Sequence, residues 1–256
     1  MKISVIQSNP LWENKELNCR KLSELIMPLY GKTDIIVLPE MFSTGFSMNP
    51  VHLSESAGGE TFRWMKRLAV EGDFGLCGSY ITKENAQFFN RWIFVTPREE
   101  SWFYDKRHLF SHAGENNYFT PGRNRLVFSF RGIRIFPNIC YDLRFPVWSR
   151  NRGDYDLMIN SANWPESRRE VWITLLKARA IENQCYVAGA NITGTDGNGI
   201  SYCGDSMIIN PKGNIISSAL SGMDVSVTGD ISLSEMEVFR KKFPVLDDAD
   251  NFVIEL

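Results

Sequence analysis

Short apolar runs of strand length alternate along this chain with stretches whose apolar residues recur every three or four positions. Lys2 to Ser8 opens the chain as a strand. Asn14 to Leu29 predicts a helix with Leu22, Leu25, Ile26 and Leu29 on one face, its last turn kinked or closed by Pro28. Asp34 to Leu38 (DIIVL) is a continuous apolar run, as in a strand covered on both faces. Thr61 to Val70 predicts a second helix, and Gly75 to Ile81 a strand. Arg91 to Thr96 and Ser101 to Tyr104 read as a strand pair around the polar turn Pro97 to Glu100. Leu126 to Phe130 and Ile133 to Ile139 flank Arg131-Gly132, a compact hairpin signal. Pro137 removes a ladder hydrogen bond and marks a local edge or bulge.

Leu157 to Ser161 and Tyr186 to Asn191 are further strands. Between them Glu166 to Asn183 is the longest helical pattern, with Val171, Leu175, Ala178 and Glu182 at helical spacing. Met207 to Ile209 and Ile215 to Ser217 flank the turn Asn210-Pro211-Lys212-Gly213. Val225 to Asp230 is the last strand, and Ser232 with Glu235 forms a capping box for a short helix to Phe243. The tail from Pro244 to Leu256 has no regular pattern and is a candidate for packing on a partner subunit. Elements interleave with no Pro/Gly/Ser-rich linker and no internal repeat, so a single domain over 1–256 is expected. Strands outnumber helices, which favours two stacked sheets with helices outside over one doubly wound sheet.

Composition adds constraints. Hydrophobic residues make up 43% and charged residues 23%, ordinary for a globular chain. A net charge of −2 supplies no basic field, so neither nucleic acid nor a membrane surface is an expected partner. Five cysteines at wide spacing, with no CxxC pair, argue against a disulfide framework or a zinc ribbon, and no metal is expected. The first residues lack the apolar stretch of a secretory signal, so a reducing cytoplasm is the expected compartment.

Three reactive side chains each follow a predicted strand. Glu40 comes after DIIVLP, Lys106 after SWFYD, and Cys140 after IRIFPNI. Loops at strand ends are where sites assemble in α/β proteins. A thiol attacks a carbonyl as a thiolate, so it needs a base or a nearby cation. Glu40 is a candidate to take the proton and return it to the departing ammonia or amine. Lys106 is a candidate to stabilise the thiolate and then the oxyanion, with the N–H of Tyr141 as a second donor.

The same segments resemble the nitrilase superfamily of carbon–nitrogen hydrolases. LPEMF around Glu40, YDKRHLF around Lys106 and NICYDLRFP around Cys140 stand in the order of that family's Glu–Lys–Cys triad. GENNYFTPG resembles the segment carrying a second glutamate, here Glu115, which would orient Lys106 or help position substrate. NSANWP and LLKARAIENQCY also resemble family segments. The resemblance implies an α/β fold, the α-β-β-α sandwich of the nitrilase type, commonly paired into a homodimer. It also implies hydrolysis of an amide or nitrile through a thioester, with no cofactor. FSTGFSMNP and CYDLRFPVWSRN look most like ω-amidases, which act on the terminal amide of 2-oxo acids such as 2-oxoglutaramate or 2-oxosuccinamate. Carbamoyl or nitrile hydrolysis, and a non-catalytic metabolite-binding protein of the same fold, are the alternatives.

Singly, each of these residues has a plainer reading: Glu40 as a solvated strand end, Lys106 as part of a wet charged loop, Cys140 as an inert core thiol. The joint pattern is what favours chemistry. Cys19, Cys77, Cys185 and Cys203 keep the plain reading. Arg144 either binds a substrate carboxylate bidentately or forms a buried ion pair with Asp142 or another acid that shapes the Cys140 loop, and the second role is slightly favoured. Phe46, Met48 and Trp164 are candidate pocket residues, with packing as the alternative. His108 and His112 would serve a cysteine–histidine hydrolase, in which Lys106 and Glu40 would be incidental.

Overall fold

The computed structural model describes residues 1–255. The first part of the chain supplies β1 (Lys2–Gln7), α1 (Lys15–Ile26), β2 (Ile35–Val37), α2 (Pro50–Leu53), β3 (Glu55–Ser56), α3 (Glu60–Gly72), β4 (Gly75–Glu84), β5 (Gln87–Val95) and β6 (Ser101–Asp105). These strands form one sheet in which β1, β2 and β4 run parallel and β5 and β6 continue antiparallel.

Next come β7 (Phe128–Phe130), β8 (Ile133–Ile139), α4 (Pro146–Ser149), β9 (Leu157–Ser161), α5 (Arg169–Glu182) and β10 (Tyr186–Ala190). After a small separate hairpin of β11 (Thr193–Thr195) and β12 (Ser201–Cys203) follow β13 (Met207–Ile209) and β14 (Ile215–Ser218). The second sheet has the order β14-β13-β10-β9-β8-β7. β15 (Val225–Asp230) returns to the first sheet beside β1, and α6 (Leu233–Lys242) follows.

Side-chain alternation fixes the layers. Ile3, Val5, Ile35, Val37, Trp92 and Phe94 join the core shared with the second sheet. Their neighbours Ile6, Ile36, Leu38 and Leu76 instead meet Leu22 and Ile26 of α1 and Met65 and Leu68 of α3. The run DIIVL is therefore buried on both faces, as its continuous apolarity requires. On the other side α5 presses Trp172 and Leu176 onto β10. A Cβ at Gly189 would lie 2.7 Å from Leu176 Cδ1, so only glycine lets the helix sit this close. The result is an α-β-β-α sandwich.

Several local readings are sharpened by the coordinates. Asn14 caps α1 by accepting the Leu17 N–H, and Pro28 sits in a 3-10 turn, Met27–Leu29, that closes the helix. The 3-10 turn Glu166–Arg168 precedes α5, so the regular helix begins three residues later than the pattern alone suggests. β7 pairs only with Ile133 to Ile135, so at Pro137 that flank of β8 has no partner and the missing N–H breaks no ladder bond. The β4–β5 hairpin runs well past the expected Ile81 and Arg91 ends. Its two turn residues, Asn85 (φ 49°) and Ala86 (φ 64°), are both left-handed, and Asn-Ala lacks the glycine that signals such a turn. The tail lies against its own chain: Arg152 donates to the Phe252 carbonyl at 2.7 Å, and Ile254 packs on the main core. No helix among the described residues is long and apolar enough to cross a membrane.

Candidate active site

The strand ends converge. β2 delivers Glu40, β6 delivers Lys106 and β8 delivers Cys140 to one end of the sandwich. Ser161, at the end of β9, donates its hydroxyl to the Leu38 carbonyl at 2.7 Å and ties the two sheets together there.

Glu40, Lys106 and Glu115 form a fully buried ionic cluster. Lys106 Nζ donates to Glu40 Oε1 at 2.8 Å and to Glu115 Oε1 and Oε2 at 3.1 and 2.9 Å. Burial pushes the Lys106 amine down, but Glu115 and Glu40 outweigh it and hold the ammonium above its usual range. Burial raises the Glu115 carboxyl; Lys106 pulls it back and Glu40 pushes it up, for a net rise. Glu115 Oε2 also accepts the Phe110 N–H at 2.6 Å.

Cys140 opens the turn Cys140–Arg144 with φ 42°, a strained value for a residue bearing a side chain, and packs beside the main core. Its thiol points to the Asn163 carbonyl at 3.8 Å. Asn163 reaches Glu40 at the same time: its N–H meets Glu40 Oε2 at 3.0 Å and its side-chain amide meets the Glu40 carbonyl at 2.7 Å. Burial, then the Glu40 charge, raise the Cys140 thiol well above its usual range against the pull of Lys106. Sulfur attacks as the thiolate, so a thiol held in this way requires a base at hand.

The strained turn is clamped by Asp142. One of its oxygens accepts the Ile139 N–H at 3.0 Å and the Tyr104 hydroxyl at 2.7 Å; the other meets the His108 N–H at 2.9 Å and its ring Nδ1 at 2.7 Å. From α5, buried Arg179 donates to the Leu143 carbonyl at 2.5 Å. The Asp142–Arg144 ion pair expected from the sequence is absent, because Tyr104, His108 and Ile139 occupy the carboxylate. Arg144 instead lies 5.0 Å over the Trp164 ring in the wall of a cavity of about 500 Å³. Cys140 and Lys106 line that same cavity, and neither His108 nor His112 does.

A model of the carbon–nitrogen hydrolase family matches residues 2–241. The chain belongs to the carbon–nitrogen hydrolase family. It is 42% identical to the omega-amidase YafV of Escherichia coli K12 over 98% of each chain, and 33% identical to the 2-oxoglutaramate amidase of Bacillus subtilis over 96% of each. Its structure superimposes with a TM-score of 0.97 on XC1258 of Xanthomonas campestris, a CN-hydrolase superfamily protein with an arsenic adduct in its active site. That protein is 38% identical, and the match covers 100% of this chain and 99% of the other.

The cavity of this carbon–nitrogen hydrolase is walled by Phe46, Met48, Tyr141, Arg144 and Trp164 among others. Phe46 places its ring centroid 5.2 Å from Lys106 Nζ. The Tyr141 ring packs between Phe110 and Phe145 at 5.0 and 5.1 Å. Sequence reasoning passed over Arg168, whose guanidinium lies in the same wall 5.4 Å from the Phe110 ring. Neither Arg144 nor Arg168 has a carboxylate partner among the described residues. It passed over Trp12 as well, which closes the cavity between Gly45 and Gly197. Asn90 and Asn163 were also missed, since a neutral amide in or just after a strand pattern carries no signal of its own, and Asp142 was weighed only as a partner for Arg144.

Proposed function

We propose that this enzyme hydrolyses the terminal amide of a short 2-oxo dicarboxylic acid monoamide, such as 2-oxoglutaramate, to the acid and ammonia through a thioester on Cys140. The observation that carries the reading is the buried Glu40–Lys106–Glu115 cluster beside the Cys140 thiol, in a cavity that also presents two guanidiniums with no carboxylate partner among the described residues. The names of the two curated relatives support the choice of amide.

Glu40 takes the thiol proton as sulfur attacks the amide carbon, and the developing oxyanion turns toward Lys106 and the Tyr141 N–H. That N–H begins the Cys140 turn and has no partner within it. The tetrahedral adduct collapses as Glu40 passes the proton to nitrogen, the C–N bond breaks and ammonia leaves. Water enters, gives a proton to Glu40, and attacks the thioester carbonyl. The C–S bond then breaks, the acid departs and the sulfur recovers its proton. Glu115 acts through Lys106, holding the ammonium by a second carboxylate beside Glu40. Arg144 and Arg168 receive the carboxylate at the far end of the substrate; Arg144 keeps a planar donor fork that lysine cannot supply.

A reducing cytoplasm suits the free thiols, and a homodimer would cover exposed Val147, Ile181, Val238 and Phe243. Ammonia release over a panel of 2-oxoglutaramate, 2-oxosuccinamate, glutamine, asparagine and butyramide tests the substrate class. The 2-oxo amides are expected to lead, with butyramide, which lacks a carboxylate, far behind. Glutamine or butyramide turned over as well as 2-oxoglutaramate would overturn the assignment.

A further inference from the structure

Asn90 sits on β5 at the centre of the ionic cluster and is buried. Its side-chain nitrogen donates to Glu40 Oε1 at 2.8 Å and to Glu115 Oε1 at 3.1 Å. Lys106 Nζ donates to the same two oxygens. Amide, ammonium and two carboxylate oxygens thus close a ring of four hydrogen bonds. The Asn90 carbonyl also accepts the Lys106 N–H at 3.0 Å, so one residue holds the lysine at its backbone and, through the acids, at its tip.

The ring makes the two oxygens of Glu40 unequal. Oε1 takes two short bonds of 2.8 Å, from Asn90 and from the Lys106 ammonium. Oε2 faces Asn163, with one bond of 3.0 Å and one of 3.3 Å, the weakest of the four. Asn163 is also the residue whose carbonyl touches the Cys140 sulfur.

We propose that Asn90 is a positioning residue: together with Lys106 it holds Glu40 Oε1 in two short bonds, so that Oε2, held more loosely and by neutral donors on the Asn163 and Cys140 side, is the oxygen that accepts the proton. This rests on Glu40 acting as the base. The ionisable groups that face Glu40 are Lys106, Glu115, Cys140 and Tyr202. Asn90 is the neutral side chain that donates to both acids, and removing it strips a hydrogen bond from each.

The test compares Asn90→Leu and Asn90→Asp with the parent enzyme on 2-oxoglutaramate, measuring kcat, KM and the pH profile of kcat. Folding is checked by circular dichroism. In Asn90→Leu we expect kcat to fall by about 10- to 100-fold, KM to move less than about threefold, and the acid limb of kcat to shift to higher pH. Asn90→Asp keeps the shape but places a third carboxylate on one ammonium, and is expected to lose more at neutral pH than at acid pH. A merely structural role would lower the unfolding temperature and leave the acid limb in place. Folded Asn90→Leu with the parent's acid limb and kcat overturns the proposal. If Asn90→Leu does not fold, folded Asn90→Asp with the parent's kcat and pH profile overturns it equally. Cys140→Ser in the same assay separates the two claims: its inactivity beside fully active Asn90 variants would sink this inference and leave the amidase reading standing.

Discussion

Replacing Glu115 by glutamine changes the shape of the cluster hardly at all, yet the structure requires a large effect. Both oxygens of Glu115 act purely as acceptors. Oε1 takes Lys106 and Asn90 at 3.1 Å each; Oε2 takes Lys106 at 2.9 Å and the Phe110 N–H at 2.6 Å. Whichever end of the new amide carries the NH₂ group faces two donors, one of them an ammonium. Two hydrogen bonds are lost, and Lys106 keeps one carboxylate where it had two. Breaking a buried pair on one side costs about 3–5 kcal/mol. For a chain of this size that lowers the unfolding temperature by roughly 6–20 °C. On the proposed mechanism the freed ammonium no longer stands fixed as an oxyanion donor, and loss of one such preorganised donor costs about 10²- to 10³-fold in kcat. Scanning calorimetry and ammonia release together check both figures. A Glu115→Gln enzyme that unfolds within about 2 °C of the parent and keeps kcat within threefold would refute the reasoning, since no rearrangement of an amide meets four donors.

Cys140→Ala should fold, because the Asp142 clamp uses backbone and side chains other than the thiol, and should release no ammonia; turnover in a folded variant would exclude the thioester route. Arg144→Lys keeps charge but loses the fork, and its KM for 2-oxoglutaramate should rise about tenfold with kcat less affected; an unchanged KM would return Arg144 to a packing role. Gly197→Ala places a Cβ 2.5 Å from the Trp12 indole, so ring or loop must shift at the cavity wall; substrate affinity should fall several-fold, and an identical profile across amides of different length would deny Trp12 a part in the wall. Asp156 is buried, and burial pushes its carboxyl up, but Arg134 and Arg240 outweigh that and hold it below its usual range. A depressed acid stabilises the fold above its unfolded pKa of about 3.9, and this is lost as pH falls through the folded value. Asp156→Asn should therefore cost about 2 kcal/mol at neutral pH and flatten the acid side of the stability curve, which urea titrations at several pH values will show.

How far the sequence discloses this site depends on what each residue type can mean by itself. Glu40, Lys106 and Cys140 are legible only jointly: each follows a predicted strand, and the three surrounding motifs stand in the order of one family's triad, while each residue alone has a plainer reading. The layered fold is legible more directly: a strand such as DIIVL, apolar on both faces, must be covered twice. The groups that make the site work are hidden by the same logic. Asn90 sits in FNRW and Asn163 in SANWP, where a neutral amide is compatible with a strand end, a turn or a cap. Only the coordinates show that one amide bridges two carboxylates and the other joins the acid to the thiol. Of the two roles left open for Arg144, pairing with Asp142 was slightly favoured because the two stand two residues apart along the chain. The turn that follows Cys140 sends the two apart, the acid inward to Tyr104 and His108 and the cation outward to the cavity. A charged residue near a nucleophile can thus be assigned only after each carboxylate's acceptor sites have been counted. Where those sites are already filled by donors from elsewhere in the fold, the leftover cation is the one that turns to the cavity.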